Sequence, residues 1–263
     1  MSCAIHARGL TFRYPDGHRA LDDLDLHVRH GERVAVLGPN GAGKTTLMLH
    51  LNGLLTATAG DLEVAGIPVE RKRLPELRAR VGLVFQDPDD QLFMPTVRED
   101  VAFGPLNMGL GRGEVESRVA GALRAVRMED AADRAPHGLS QGERRRVAIA
   151  TVLAMDPALL VLDEPSANLD PRARRELLEL LAGIDRTLLV VTHDLPFAAE
   201  LCERAVILAR GRVVADGGTD DILGDADLLA VNDLELPAGV DLARIPRRTR
   251  PRAAAGREAV AAV

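Results

Sequence analysis

Gly38-Pro39-Asn40-Gly41-Ala42-Gly43-Lys44-Thr45 lies between a short apolar run, Arg33 to Leu37 (RVAVL), and a stretch of helical composition, Lys44 to Leu55. A glycine-rich loop that leaves a buried strand and opens a helix is the setting of a phosphate cradle. The glycines let successive backbone N–H groups face one oxyanion, and the helix N-terminus adds a partial positive charge. Lys44 supplies a point charge for the outer phosphates, and the hydroxyl of Thr45, with Thr46 beside it, suits a phosphate-bound Mg²⁺. The loop alone implies a nucleotide phosphate. It does not separate an ATPase from a GTPase or a kinase.

Downstream, Leu159-Leu160-Val161-Leu162-Asp163-Glu164 reads as a buried strand that delivers two carboxylates at its C-terminal edge, where ligand sites of α/β proteins lie. Asp163 fits a Mg²⁺ partner, and Glu164 fits a base that polarises attacking water. Between loop and strand stands Leu139-Ser140-Gln141-Gly142-Glu143. Ser140 as an N-cap and Gly142 in the first helical turn make a second anion site at a helix start. Ser140 with Glu143, like Thr96 with Glu99, has the spacing of a capping box.

The chain has 263 residues, 46% hydrophobic and 27% charged, which fits one large domain and excludes wholesale disorder. Five Phe, one Tyr and no Trp leave the core to Leu, Val, Ile and Ala. A net charge of −6 argues against a nucleic-acid partner. Cys3 and Cys202 form neither a metal-ligand spacing nor a disulfide framework, as expected of a soluble protein in a reducing compartment. Residues 244–263 carry six Arg against one Glu, a local +5 that leaves −11 on residues 1–243. That basic tail is expected to be disordered or loosely packed. Strand patterns open the chain (AIHARGLTFRY, LDLHV) and recur at 81–85, 159–162, 187–191 and 205–208. Helical patterns fill 96–103 and 115–126. The expected architecture is an α/β phosphate-loop core with an antiparallel β subdomain and an inserted helical subdomain at about 88–155.

The order of phosphate loop, LSQGE and LLVLDEP resembles that of the ATP-binding-cassette ATPases over about residues 3–225. The resemblance implies an ATP and Mg²⁺ site in which Tyr14 stacks on adenine and Gln86, a metal ligand, is the glutamine of the Q-loop. It also makes Ser166 to Asp170 (SANLD) the D-loop and His193 the switch histidine. Two such domains would sandwich two ATP, the phosphate loop of one facing Ser140, Gln141 and Gly142 of the other. The second ATPase subunit would be an identical copy or a relative. A narrower stretch, Val84 to Phe93 (VFQDPDDQLF) with Val97 to Asn107, resembles the energy-coupling-factor importers, nearest their cobalt and nickel branch. That implies integral-membrane partners, a place on the cytoplasmic face of the membrane, and uptake of a metal ion or vitamin. An importer ATPase of another class is the alternative. A DNA-repair ATPase is disfavoured, because the 95 positions from Lys44 to Leu139 leave no room for long coiled coils. The signature departs from the commonest form, with Gln141 where that form has Gly and Glu143 where it has Gln. Gln141 keeps its N–H and is expected to point its side chain outward.

Overall fold

All five residues of RVAVL are buried, as a strand covered on both faces must be. In the computed structural model, which describes residues 3–248, this strand forms the middle of a sheet. The chain opens with β1 (Cys3–Arg13), β2 (Arg19–Arg29), β3 (Arg33–Leu37) and α1 (Lys44–Leu51). Next come β4 (Ala59–Val64), β5 (Ile67–Pro68), α2 (Leu74–Arg80) and β6 (Val81–Val84). Three helices follow: α3 (Val97–Asn107), α4 (Arg112–Ala125) and α5 (Gln141–Leu153). Then β7 (Leu159–Asp163), α6 (Pro171–Gly183), β8 (Thr187–Val191), α7 (Leu195–Leu201) and β9 (Arg204–Ala209) alternate. Last are β10 (Arg212–Gly218), α8 (Thr219–Gly224) and α9 (Ala226–Val231).

Six strands form one sheet in the order β10-β9-β3-β8-β7-β6, parallel throughout except for the edge strand β10. Four form a second, antiparallel sheet in the order β2-β1-β4-β5. Side chains alternate across a strand, and here the alternation divides two cores. Val34, Val36, Val161 and Val191 pack with α1 and the antiparallel sheet. Ala35, Leu37, Leu162 and Val190 pack with the helical side of the molecule. Aliphatic side chains build both cores. The helices α3, α4 and α5 pack on one another, and both expected capping boxes are present, at Thr96 and at Ser140.

The helix expected at 96–103 runs on to Asn107 and the one expected at 115–126 begins at Arg112, and three other differences have a visible cause. The first helix ends at Leu51 rather than Leu55, because Gly53 takes φ +69 and the N–H groups of Leu54 and Leu55 both turn back to the Leu49 carbonyl. The strand expected to reach Phe85 ends at Val84, since the Phe85 N–H donates to Gln91 Oε1 at 3.2 Å. The basic tail does not come loose at 244. Arg247 bonds the Ala199 carbonyl and pairs with Asp220, and the Arg248 N–H donates to the Glu200 carbonyl. Residues 249–263, where the rest of the expected disorder falls, lie outside the described residues. Among the described residues no helix is long and apolar enough to cross a membrane.

Candidate functional site

The loop between β3 and α1 fits only with glycine at its corners. A Cβ on Gly38, which has φ +148, would sit 2.1 Å from the Leu208 carbonyl oxygen. One on Gly43, at φ +104, would sit 2.4 Å from that of Ala20. Neither collision can be relieved without moving backbone. Lys44 is 8% exposed, and its Nζ donates to the carbonyls of Gly38 (2.7 Å) and Pro39 (2.9 Å). Burial lowers its pKa, and the nearby charges of Glu164 and Asp163 oppose that fall.

The loop, β7 and the turn before β2 enclose a cleft of about 210 Å³. Of the residues expected from sequence, Tyr14, Asn40, Gly41, Gly43, Lys44, Thr45, Thr46, Gln86, Asp163 and Glu164 line it; His18 and Ala20 were not anticipated. The Tyr14 hydroxyl is 3.1 Å from Thr46 Oγ1, and its ring lies near-parallel to His18, with centroids 6.4 Å apart. A roomier cavity of about 940 Å³ lies by α9, but walls such as Leu229, Leu234 and Val240 offer a phosphate nothing.

Asp163 and Glu164 leave the end of β7 buried side by side. The Asp163 carboxyl is pushed up to about 6, first by burial and then by the Glu164 charge, with Lys44 and Arg145 pulling the other way. Glu164 takes φ +42, a left-handed conformation that costs a non-glycine residue about 1–3 kcal/mol. It is held there from several sides. Its N–H donates to the Val191 carbonyl, and its Oε2 accepts from buried Thr192 Oγ1 at 3.0 Å and from the His193 N–H at 3.3 Å. Its Oε1 lies 2.8 Å from Nδ1 of His193, whose side chain is otherwise 69% exposed. One carboxylate oxygen is thus fixed by the buried Thr192 hydroxyl and a backbone N–H, and the other is shared with an exposed imidazole.

Sequence reasoning missed Thr192, although it stands inside VVTHD beside the histidine. It also missed Arg145, fully buried, whose Nη1 donates to the Phe85 carbonyl at 2.8 Å and so fixes the strand end before Gln86. A third omission is Gln91. Its amide nitrogen donates to the Ala148 carbonyl and Thr151 Oγ1, both at 2.8 Å, tying the loop after β6 to α5. Asp100 was likewise unseen: buried under that loop, it accepts the N–H groups of Phe93 and Met94. Burial raises its pKa.

Ser140, Gln141, Gly142 and Asp170 do not reach the cleft of their own chain. Ser140 Oγ donates to Glu143 Oε2 at 2.7 Å and accepts the Glu143 N–H, completing its cap. Asp170 caps α6 by accepting the N–H groups of Arg172 and Ala173. Gln141 is not turned outward: its Oε1 accepts from Arg144 Nη2 at 2.7 Å, and Arg144 also lies 3.6 Å from Asp89.

A bare polyphosphate would meet backbone N–H groups and Lys44 in the cleft. The hydroxyl of Thr45, the amide of Gln86 and the carboxylate of Asp163 are hard oxygen donors, the chemistry that Mg²⁺ selects. Two crowded buried carboxylates and a lysine bonded only to loop carbonyls fit such a pair of ligands.

A family model described as ABC transporter matches residues 21–167. A putative ABC transporter ATP-binding protein of Streptomyces coelicolor is 59% identical over 247 residues, 94% of each chain. An energy-coupling factor transporter ATP-binding protein of Methanothermobacter thermautotrophicus is 48% identical over 90% of this chain and 78% of its own. A cobalt import ATP-binding protein of Rhodobacter capsulatus is 48% identical over 95% of this chain and 91% of its own. Among solved structures, cbiO1 of Clostridium perfringens, described as part of the ABC transporter complex cbiONQ, superposes with a TM-score of 0.79. It is 36% identical, over 90% of this chain and 97% of its own.

Proposed function

The chain belongs to the ABC transporter family, and from that premise we propose that it is the ATP-hydrolysing subunit of an energy-coupling-factor importer that takes up a metal ion or vitamin. The observation that carries the ATPase part is the cleft itself, with Lys44, Asp163 and Glu164 converging on one glycine loop. In this reading the loop N–H groups and Lys44 bind the phosphates, and Tyr14 and His18 form the base side of the site. Mg²⁺, when bound, would supply charge neutralisation at the outer phosphates, held by Thr45, Gln86 and Asp163. Glu164 accepts a proton from attacking water at its Oε1, and His193 shares that oxygen. Ser140, Gln141 and Gly142, outside their own cleft, serve the cleft of a second ATPase subunit.

The importer part rests on the loop after β6 and on the relatives. Phe93, Phe103 and Leu106 are exposed by 62%, 41% and 59%, and the rings of Phe93 and Phe103 pack edge to face at 5.0 Å. Exposed apolar groups in the loop that follows Gln86 and on α3 suit an integral-membrane partner better than water does, and would place the protein on the cytoplasmic membrane face. The Asp89–Arg144–Gln141 chain of contacts joins that surface to the start of α5, and Gln91 joins it to the later turns of the same helix. The relative named for energy coupling supports the importer class, and the one named for cobalt import supports a metal cargo.

The test is co-expression with integral-membrane subunits of an energy-coupling-factor importer, followed by ATP-driven uptake into vesicles. Uptake of Co²⁺ or Ni²⁺ that requires ATP and this subunit supports the full reading. ATP hydrolysis without association with those subunits would remove the importer part and leave the ATPase.

A further inference from the structure

By spacing along the chain, Cys3 has no metal-binding companion; by fold it has two. His6 and His27 are direct cross-strand partners of β1 and β2, with rings meeting edge to face at 5.4 Å. Cys3 is three positions from His6, so in a regular strand the two would point to opposite faces. The pairing is not regular there. Cys3 opposes Arg29 while Ile5 opposes Val28, so β1 carries one extra residue at Ala4. Such a bulge reverses the alternation and re-aims a side chain. Ala4 and Ile5 are consequently buried in succession, and Cys3 joins His6 and His27 on the outer face. Its Sγ lies 3.1 Å from His27 Nε2.

We propose that Cys3, His6 and His27 form a binding site for a divalent transition-metal ion of the Zn²⁺ class. One ligand atom from each lies within 4.8 Å of the others, and among the described residues this is the group of His, Cys and acidic side chains so gathered. A tetrahedral ion with a thiolate and two imidazoles needs ligand atoms about 3.3–3.7 Å apart, given metal bonds of about 2.0–2.3 Å. Rotation of two partly exposed side chains closes that difference. A thiolate with imidazoles selects borderline metals over Mg²⁺ or Ca²⁺. The thiol proton leaves to solvent on binding, so affinity rises with pH. A fourth position stays open to water, and the register places Glu63 of β4 opposite His6 on its other side, a carboxylate within one strand spacing. The site is separate from the nucleotide cleft and does not depend on the transport reading. By joining β1 to β2 it ties together the two strands whose connecting turn carries Tyr14 and His18.

The experiment titrates untagged, nucleotide-free full-length protein with Co²⁺ as a spectroscopic probe. A thiolate-to-cobalt charge-transfer band should saturate at a single ion per chain and disappear on adding Zn²⁺. Cys3→Ser should abolish the band. His6→Ala and His27→Ala should each weaken Co²⁺ binding by about tenfold or more, since even outer-shell losses cost about 10–100-fold. Cys202 cannot substitute: it is 3% exposed, and burial pushes its thiol far above the usual range. Zn²⁺ should raise the melting temperature of the wild type and leave that of Cys3→Ser unchanged, while basal ATP hydrolysis is the same in both. Absence of the band in the wild type, its persistence in Cys3→Ser, or full affinity in both histidine variants would overturn the proposal.

Discussion

Helix α1 begins without a side-chain cap, whereas α5 begins with a complete one. At α1 the N-cap is Gly43, and no side chain answers the first N–H groups of the helix. At α5 Ser140 and Glu143 satisfy each other's backbone in both directions. Unpaired N–H groups at a helix start are costly unless something accepts from them, so α1 is left for an anion that the chain does not supply. The rest of that site is equally unrelaxed: a buried lysine, two adjacent buried carboxylates and a left-handed glutamate. The α5 site is relaxed and lies outside the cleft. Its serine hydroxyl must turn its proton away from Glu143 before it can donate to a phosphate. One chain therefore holds an uncapped helix start under tension and, elsewhere, a capped one at rest.

The largest expected effect comes from removing the cation of the tense site. Lys44→Ala should eliminate detectable ATP hydrolysis and weaken ATP binding by about 1.5–3 kcal/mol, the worth of a charge-assisted contact. Nucleotide titration and a phosphate-release assay on the folded variant read both. Unchanged turnover would show that the loop is not the phosphate site.

Next in size is Glu164→Gln, which keeps the shape at the end of β7 and removes the base. Turnover should fall about 10²- to 10⁴-fold. On the proposed reading, ATP with Mg²⁺ should then shift the variant towards dimer, because unhydrolysed nucleotide would bridge the α1 site of one chain and the α5 site of another. Light scattering after size exclusion reads the shift at high protein concentration. An inactive variant that stays monomeric even with its membrane partners would break the pairing of the two helix starts.

How much of this contrast is written in the sequence depends on whether a residue acts locally or through the fold. The phosphate loop, the two carboxylates and both capping boxes are consecutive or one turn apart, so their chemistry is visible as spacing. Strand β3 was legible for the same reason, an apolar run from Val34 to Leu37 that ends at Gly38. Thr192, Arg145 and Gln91 were not, because each acts on a partner brought near by the parallel sheet: Glu164, the Phe85 carbonyl, the α5 backbone. Strand β4 escaped notice because Ala59 to Leu62 is largely exposed and holds Gly60 and Asp61. Helix α6 buries Leu177, Leu178 and Leu181 at helical spacing and could have been read. The metal-ligand group at Cys3 depends on a one-residue bulge, which no spacing rule shows.

A third expectation concerns the tension itself. Because the folded protein holds the Asp163 carboxyl near 6 against an ordinary 3.8, protonation is favoured by folding. Stability from this group is fully present below about pH 3.8 and is lost as pH rises through 6, so the ionised form opposes folding at neutral pH. Asp163→Asn should therefore stabilise the nucleotide-free protein by about 2–3 kcal/mol above pH 7 and by almost nothing near pH 4. Urea midpoints at the two pH values measure it. Equal effects at both would mean that the strand end carries no charge strain.

The relaxed site should answer more mildly. Ser140→Ala removes one half of the capping box and should cost about 1 kcal/mol of stability. The equivalent position of α1 has no cap to lose. Thermal unfolding without nucleotide isolates that term. A loss in ATP-dependent dimerisation beyond the stability change would then belong to the exchange of Ser140 from Glu143 to phosphate.

The smallest effect sharpens the comparison most. Gln141 stands at the first position of α5, where its N–H is available to an anion whatever its side chain does. That side chain lies along the helix, accepting from Arg144, which in turn approaches Asp89 in the loop after β6. If Gln141 serves the α5 site only through its backbone, Gln141→Gly leaves the anion contact in place and merely frees Arg144. Hydrolysis by the assembled complex should then change by less than about tenfold, roughly 1.4 kcal/mol. Arg144 keeps Asp89, so association with the membrane partner should persist. A double variant, Gln141→Gly with Asp89→Ala, releases Arg144 entirely, and any further loss of coupling between ATP hydrolysis and uptake reports on that arginine. A change much larger than tenfold in the single variant would mean that the amide itself touches nucleotide, and the α5 start would then be no more at rest than the α1 start.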